Sequence, residues 1–192
     1  MEKNRYPARD ITGCRFSLSV MKDDYVKHIM QTINQVNTEA VWSGTDALST
    51  TYRGRRIHVV DAMRAFFTHA NDGKTHVTLE ACFSKGCPCD TEADSYLAQD
   101  DTLRNPVRKH FDVQAKMAFY PLGILDYMDK IAHVVNLAHT HGLNPQPSHY
   151  ATALSGDVQV LFDYFDTVLA YAESQIDHYV LQVTLSVNSP TK

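Results

Sequence analysis

The sequence has none of the short motifs that usually mark an enzyme acting on small molecules. Gly-x-Gly-x-x-Gly, the phosphate-binding loop, Gly-x-Ser-x-Gly and His-Glu-x-x-His are all absent from its 192 residues. Catalysis therefore has no support from a sequence motif. A Cys–His or Ser–His site assembled from distant residues stays an alternative, because catalytic groups need not be neighbours along the chain.

Long apolar runs, excess positive charge and a cysteine framework are lacking too. No stretch approaches 18 uninterrupted apolar residues and residues 1–13 are polar, so we expect neither insertion into a membrane nor a secretion signal. The formal net charge of −4 disfavours nucleic acid as a partner. The few cysteines include Cys82, Cys87 and Cys89 close together, which favours free thiols in the cytoplasm. A single Cys-x-Cys is too little to predict a metal site.

What the sequence does contain is an internal repeat. Residues 14–88 match residues 116–190 at a constant offset of 102 without a gap, and Thr50 matches Thr152. There are 13 identities, where roughly 4 are expected by chance. We divide the chain into an N-terminal segment (1–13), a first repeat (14–88), a linker (89–115) and a second repeat (116–192).

Each repeat has the pattern strand, helix, two strands, helix, strand. In the first strand Cys14, Phe16, Leu18 and Val20 alternate with polar residues, which is typical of a strand with one buried face. This order predicts an α+β fold, a tandem repeat of two ferredoxin-like (βαββαβ, ACT-like) units, each an antiparallel sheet with its helices on one face. In the first helix of each repeat we expect one apolar stripe to face the core: Tyr25, Val26, Ile29, Met30, Ile33 and Val36, then Tyr127, Met128, Ile131, Val134, Val135 and Ala138.

The two middle strands form a predicted hairpin, with strands at 41–42 and 47–53 joined by a turn at 43–46. A threonine, Thr50 or Thr152, then lies in the middle of the strand's inner face in both repeats. An unpaired buried hydroxyl costs roughly 1–3 kcal/mol, so it needs a local acceptor or a ligand. The inner positions are Leu48, Thr50 and Tyr52, then Tyr150, Thr152 and Leu154. Threonine beside tyrosine favours a pocket for a flat heterocycle in each repeat; a core threonine bonded locally is the alternative.

The outer positions of the first strand differ between the repeats. They are polar in the first repeat (Arg15, Ser17 and Ser19) but apolar in the second (Met117, Phe119 and Pro121). Because an apolar patch of this kind rarely stays in water, we predict that the open face of the second sheet is buried against the other repeat or a second chain.

Several segments resemble those of the YkoF-type thiamine- and hydroxymethylpyrimidine-binding proteins. The resemblance runs nearly end to end and includes the irregular linker as well as the strands. The segments are 14–18 (CRFSL), 49–54 (STTYRG), 83–91 (FSKGCPCDT), 149–152 (HYAT) and 185–190 (LSVNSP). The resemblance implies a non-enzymatic cytoplasmic homodimer that binds thiamine or its hydroxymethylpyrimidine (HMP) precursor without any cofactor. It also implies a link to uptake or salvage of thiamine precursors, with a transporter as a further partner.

The resemblance also implies the site residues. A threonine at the place of Thr50 and backbone groups near Leu18 contact the pyrimidine in the family, and the repeat carries these roles to Thr152 and Tyr120. Strand position adds four candidates: Asp46, Ser49, His149 and Tyr150. Because Asp46 corresponds to Ser148, we predict that the two sites differ in affinity for cationic thiamine more than for the neutral pyrimidine. A regulatory module that senses another metabolite is the alternative function.

Overall fold

The computed structural model describes residues 11–85 and 100–191. They form two successive βαββαβ units, and the predicted α+β class and antiparallel pairing are confirmed. The Cys87–Cys89 pair lies outside the described residues. The first unit consists of β1 (Ile11–Val20), α1 (Tyr25–Ile33), β2 (Trp42–Thr45), β3 (Thr50–Arg55), α2 (Arg56–Ala70) and β4 (Val77–Lys85). The second consists of β5 (Asp112–Leu122), α3 (Tyr127–Thr140), β6 (Gln146–Ser148), β7 (Ala151–Asp157), α4 (Val158–Gln175) and β8 (His178–Val187).

The two units share one continuous eight-stranded sheet with the order β2-β3-β1-β4-β8-β5-β7-β6. The last strands of the units, β4 and β8, pair with each other along the whole of β4, from Val77 opposite Val187 to Lys85 opposite Tyr179. Helices α2 and α4 pack against each other above this joint. The repeats are therefore joined edge to edge.

The core lies between the sheet and the helices. On β4 every second side chain, from Val77 to Phe83, is buried, and the residues between them are half-buried or exposed on the other face. Helix α2 buries most of its surface because the sheet, α1 and α4 all pack against it. Each large apolar side chain removed from water in this way stabilises the fold by about 1.5–3 kcal/mol.

The ladder registers show that the repeat is not free of gaps. Phe16 pairs with Thr50, whereas Met117 pairs with Thr152. Phe16 therefore corresponds to Met117, which is an offset of 101, while the threonines keep an offset of 102. The extra residue lies between β5 and α3, in the loop that contains Gly123, whose φ of 74° is left-handed and suits glycine.

This one-residue shift reverses the predicted faces of β5. Met117, Phe119 and Pro121 point toward the helices and are buried, so the predicted apolar open face is wrong. A shift of one residue sends every side chain of a strand to the opposite face. The open face of β5 carries instead Gln114, Lys116, Ala118, Tyr120 and Leu122 among others.

Ion pairs tie the two units together above the joint. The Arg56 guanidinium on α2 donates from Nε to Glu173 Oε2 on α4 (3.1 Å) and also contacts Asp166. The Thr12 hydroxyl donates to the other oxygen of Glu173 (2.9 Å). About two turns further along α2, Arg64 pairs with Asp163 (2.6 Å). These contacts fix how α2 and α4 lie on each other.

The described part of the linker docks on the first unit through Asp61 and Asn105. Both are buried, and Asp61 Oδ2 accepts hydrogen bonds from the Arg104 amide (3.0 Å), the Asn105 amide (3.0 Å) and Asn105 Nδ2 (2.9 Å). Asn105 also bonds both backbone groups of Asn37, just after α1. In the described residues, no helix is both long and apolar enough to cross a membrane.

Candidate functional site

The β2–β3 turn is built around Asp46. Asp46 Oδ1 accepts hydrogen bonds from the amides of Leu48 and Ser49, both at 2.8 Å. These two amides hold the pKa of Asp46 below its usual value, so it is an anion at neutral pH. The turn thus lies at 46–49 and not at the predicted 43–46, because an aspartate that binds the amides two and three residues on makes a turn of its own. Leu48, predicted to point inward, is 85% exposed.

The β6–β7 turn has a different construction. Ser148 pairs with Ala151, so only His149 and Tyr150 lie between the strands, with φ of 28° and 62°. Positive φ at both central residues is the pattern of a tight hairpin turn, and it costs a residue other than glycine roughly 1–2 kcal/mol. Tyr150, predicted to point inward, is fully exposed.

Thr50 and Thr152 lie on the helix side of the sheet, as predicted from the alternation. Both are half-buried. Thr50 Oγ1 is 3.0 Å from Oγ1 of Thr45, directly across the hairpin. Thr152 lies opposite Pro147, and within residues 11–85 and 100–191 its hydroxyl has no hydrogen-bond partner. Within the described residues, neither hydroxyl is hydrogen-bonded to the backbone of its own repeat.

Next to each threonine the sheet is incomplete on one side. The β1–β3 ladder ends where Phe16 meets Thr50, but β1 continues to Val20 paired with β4 alone. In the second unit the β5–β7 ladder ends at Thr152, while β5 continues to Leu122 paired with β8. We call these two places the notches: Thr50 with residues 17–20, and Thr152 with residues 118–121.

Each notch presents backbone hydrogen-bonding groups. In an antiparallel sheet the N–H and C=O of successive residues point alternately to the two sides, so half of those in residues 17–20 point toward the missing part of β3. Leu18 lies two residues beyond Phe16, or about 7 Å along the strand from the level of Thr50. The first notch therefore brings together Thr50 and the backbone near Leu18.

Helix α1 supplies an apolar flank near the first notch. It contacts α2 and β1, and its buried residues are polar: His28 Nε2 is bonded to Ala70 O (2.7 Å), and the Thr32 hydroxyl donates to His28 O (3.0 Å). The predicted burial of the α1 stripe is therefore wrong for four of its residues, because the side of α1 that carries His28 and Thr32 faces the core instead. The exposed residues are Tyr25, Val26, Met30 and Ile33.

The second notch is flanked by α3, where Tyr127 and Met128 are exposed while Val134 and Ala138 are buried. By strand register the counterpart of Leu18 is Phe119 and not Tyr120. Tyr120 lies one residue further along β5, so its backbone groups point to the opposite side from those of Phe119, and its side chain is exposed on the open face. Backbone binding at Leu18 and Tyr120 stays a prediction.

Three cavities are seen among the described residues. One of about 450 Å³, at the end of α4, is lined by Lys85 and Glu173 among others, but Lys85 Nζ donates to Glu173 O (3.2 Å) and Glu173 is paired with Arg56. Another of about 150 Å³ is lined by Arg56 and Glu173 as well. The third, of about 130 Å³, adjoins the first notch at Ser17 and lies by the open face, with Ser49 beside Arg15 and Glu80. None of the three recurs in both repeats among the described residues, so we favour the notches as the candidate site.

Each notch can accommodate the edge of a flat heteroaromatic ligand. A hydroxyl and backbone groups can meet the polar edge of such a ring, and the apolar flank of α1 can pack on its face. Within the described residues no three His, Cys, Asp or Glu side chains are grouped so as to hold a metal ion. Burial raises the pKa of the Cys14 thiol well above its usual value, which makes that cysteine a poor nucleophile.

Sequence reasoning missed Thr45 and the ends of the ladders. Thr45 could have been found, because placing the turn at Asp46 puts Thr45 directly across from Thr50. The ends of the ladders leave no such signal, since β1 alternates between apolar and polar residues through residue 19, past the point where β3 stops.

The comparisons with known proteins agree with this two-part architecture. A family model described as "YKOF-related Family" matches residues 11–90 and again residues 112–192. A Bacillus subtilis (strain 168) protein named "Putative HMP/thiamine-binding protein YkoF" is 38% identical to the chain over 185 residues, which cover 95% of this chain and 92% of the relative.

Proposed function

Because the chain belongs to the YKOF-related family, we propose that it binds thiamine or its precursor HMP, one molecule in each notch, and does not alter it. The observation that carries this proposal is the recurrence, in both repeats, of a threonine hydroxyl beside strand backbone left without a partner strand. A relative whose printed name includes HMP and thiamine binding supports the choice of ligand.

The chemistry of the notch fits this ligand. The aminopyrimidine ring is planar, with donors and acceptors along its edge that can bond Thr50 and the backbone of residues 17–20. The exposed apolar side chains of α1, a helix that packs on β1, can cover one face of the ring. Asp46, an anion close to the first notch, favours the thiazolium cation of thiamine, and Ser148 at the corresponding place carries no charge. We therefore expect the two notches to differ more for thiamine than for HMP.

Calorimetric titration of the wild type, Thr50→Val, Thr152→Val and the double variant tests the proposal. Each substitution removes a hydroxyl at nearly constant shape, and we expect it to weaken one of two sites by about fivefold, the equivalent of about 1 kcal/mol for one hydrogen bond. Thr51→Val is the matched control, because Thr51 is the neighbour of Thr50 on the open face, and its binding should equal that of the wild type. If HMP and thiamine release no heat and leave the melting temperature unchanged at saturating concentration, the proposal is wrong.

The proposal extends to the setting of the protein. We propose that it acts in the cytoplasm as a homodimer, in the uptake or salvage of thiamine precursors, with a transporter as its partner. Sedimentation equilibrium tests the homodimer, which requires twice the mass of the 192-residue chain. A monomer at micromolar concentration, with and without ligand, would remove that part and leave ligand binding untouched.

A further inference from the structure

Thr45 and Thr50 form a pair of hydroxyl groups at the first notch. They are direct partners across the β2–β3 hairpin, both on the helix side, with Oγ1 atoms 3.0 Å apart. Thr45 is exposed and Thr50 half-buried, so a ligand can reach both. Among the described residues neither hydroxyl has another hydrogen-bond partner.

A bonded pair of hydroxyls offers one donor and one acceptor side by side. Each hydroxyl has one hydrogen and two lone pairs, and their mutual bond uses one hydrogen. If Thr45 donates to Thr50, the remaining hydrogen is on Thr50, and Thr45 is free to accept. Rotation of both hydroxyls gives the opposite order, so the pair can adapt to the ligand.

The ligand edge that matches this pair is an amidine edge, in which a ring nitrogen stands next to a carbon that carries an amino group. Thr50 donates to the ring nitrogen, the amino group donates to Thr45, and Thr45 donates to Thr50. Each hydroxyl then donates once and accepts once in a closed cycle, and such chains of hydrogen bonds strengthen one another.

We infer that Thr45 is the specificity-determining residue of the first notch, which reads the exocyclic amino group of the ligand while Thr50 reads the ring nitrogen. This inference rests on the proposed function and adds a ligand class to it: nitrogen heterocycles with an amino group beside a ring nitrogen. A ring with a carbonyl at that place presents an acceptor to Thr45. Thr45 must then donate to the ring, and the hydrogen bond between the two hydroxyls must reverse its direction.

The second notch has a threonine in the place of Thr50 but none in the place of Thr45. Pro147 takes the place of Thr45 opposite Thr152 and has no hydroxyl and no backbone N–H. The second notch therefore reads the ring nitrogen without reading the amino group. It discriminates less between a pyrimidine that has the amino group and one that lacks it.

A purely structural account treats Thr45 and Thr50 as a cross-strand pair that stabilises the hairpin. That account predicts that Thr45→Val weakens all ligands alike, by loosening the hairpin. The inferred role predicts an effect that depends on the amino group. Titration with two ligands, HMP and the same pyrimidine without its amino group, separates the two.

The experiment uses the full chain with Thr152→Val as a common background, so that the first notch dominates the titration. In that background we expect Thr45→Val to weaken HMP by about fivefold and to change the affinity for the deaminated ligand by less than twofold. Thr50→Val should weaken both ligands. Thr51→Val, on the opposite face of the same strand, should weaken neither, and urea unfolding checks that every variant is folded.

The outcomes separate the two proposals. Equal weakening of both ligands by Thr45→Val, or no weakening of either, overturns the role of Thr45 while the proposed function stands. Failure of HMP to bind the wild type overturns both. Pro147→Thr in a Thr50→Val background gives an independent check, because it should raise the preference of the second notch for HMP over the deaminated ligand.

Discussion

Replacing Asn105 with alanine should destabilise the protein through hydrogen bonds alone. Its side chain is buried and makes three of them: Oδ1 accepts from the Asn37 amide (2.8 Å), and Nδ2 donates to Asn37 O (3.0 Å) and to Asp61 Oδ2 (2.9 Å). No large apolar side chain is removed by this substitution. The effect therefore measures how strongly residues 100–107 are fastened to the end of α1 and to α2.

The size of the loss depends on which hydrogen bonds the partners of Asn105 keep in the variant. A net contribution of about 1 kcal/mol for each hydrogen bond gives an upper figure of about 3 kcal/mol. Asn37 is exposed, so water can replace part of what its backbone loses. Asp61 Oδ2 retains the amides of Arg104 and Asn105. We expect Asn105→Ala to lower the free energy of unfolding by about 2–3 kcal/mol.

Urea unfolding followed by circular dichroism measures this loss as a lower midpoint at an unchanged slope. Thr102→Ala is the control, because Thr102 is exposed on the same segment, and it should cost less than about 0.5 kcal/mol. Asp61→Ala and the double variant should be less than additive, since the two residues share a hydrogen bond. A loss below about 0.5 kcal/mol for Asn105→Ala would refute this reasoning.

Two further predictions concern charged groups. Arg56→Met should lower the free energy of unfolding in urea by about 1–2 kcal/mol, because it leaves the Glu173 carboxylate with Thr12 alone. Arg56→Lys should restore part of this loss. An unchanged urea midpoint for Arg56→Met would contradict the ion-pair account. Burial acts to raise the pKa of Asp72, but hydrogen bonds from Thr75 and Lys74 outweigh it and lower the pKa to about 2. The stability that this shift contributes is complete above the unfolded pKa near 4 and is lost as the pH falls toward 2. Asp72→Ala should therefore lower the free energy of unfolding by about 1 kcal/mol at pH 6, after allowance for solvent screening, and by almost nothing at pH 2. Equal losses at the two pH values would contradict this account.

The sequence predicted which helices and strands form better than it predicted what packs against each of them. The helical stripe from Tyr25 to Ile33 correctly indicates a helix, but periodicity shows only that one side of the helix is apolar. Which side of the helix meets the core depends here on His28 and Thr32, whose buried hydrogen bonds no pattern in the sequence marks. The exposed flank of α1, and with it the notch, could be found only in the structure.

In the candidate site, too, some features could be predicted from the sequence and others could not. Thr50 and Thr152 could be predicted as facing the helices, because strand alternation survives a small error in the position of the turn. Met117 could not, because a single inserted residue near Gly123 reverses the face and is invisible in a repeat of low identity. The pairing of β4 with β8 also has no sequence signal, since backbone hydrogen bonds form with any side chain.

The joint between β4 and β8 also determines which strand edges the protein exposes. A single unit would offer β4, nine residues long, as an edge onto which another chain could add a strand. In the double unit that edge is covered, and the described sheet ends in β2 and β6, of four and three residues. One of these, β6, contains Pro147, which cannot donate to a further strand. Joining the repeats in this way protects each against aggregation through the longest edge that it would have alone.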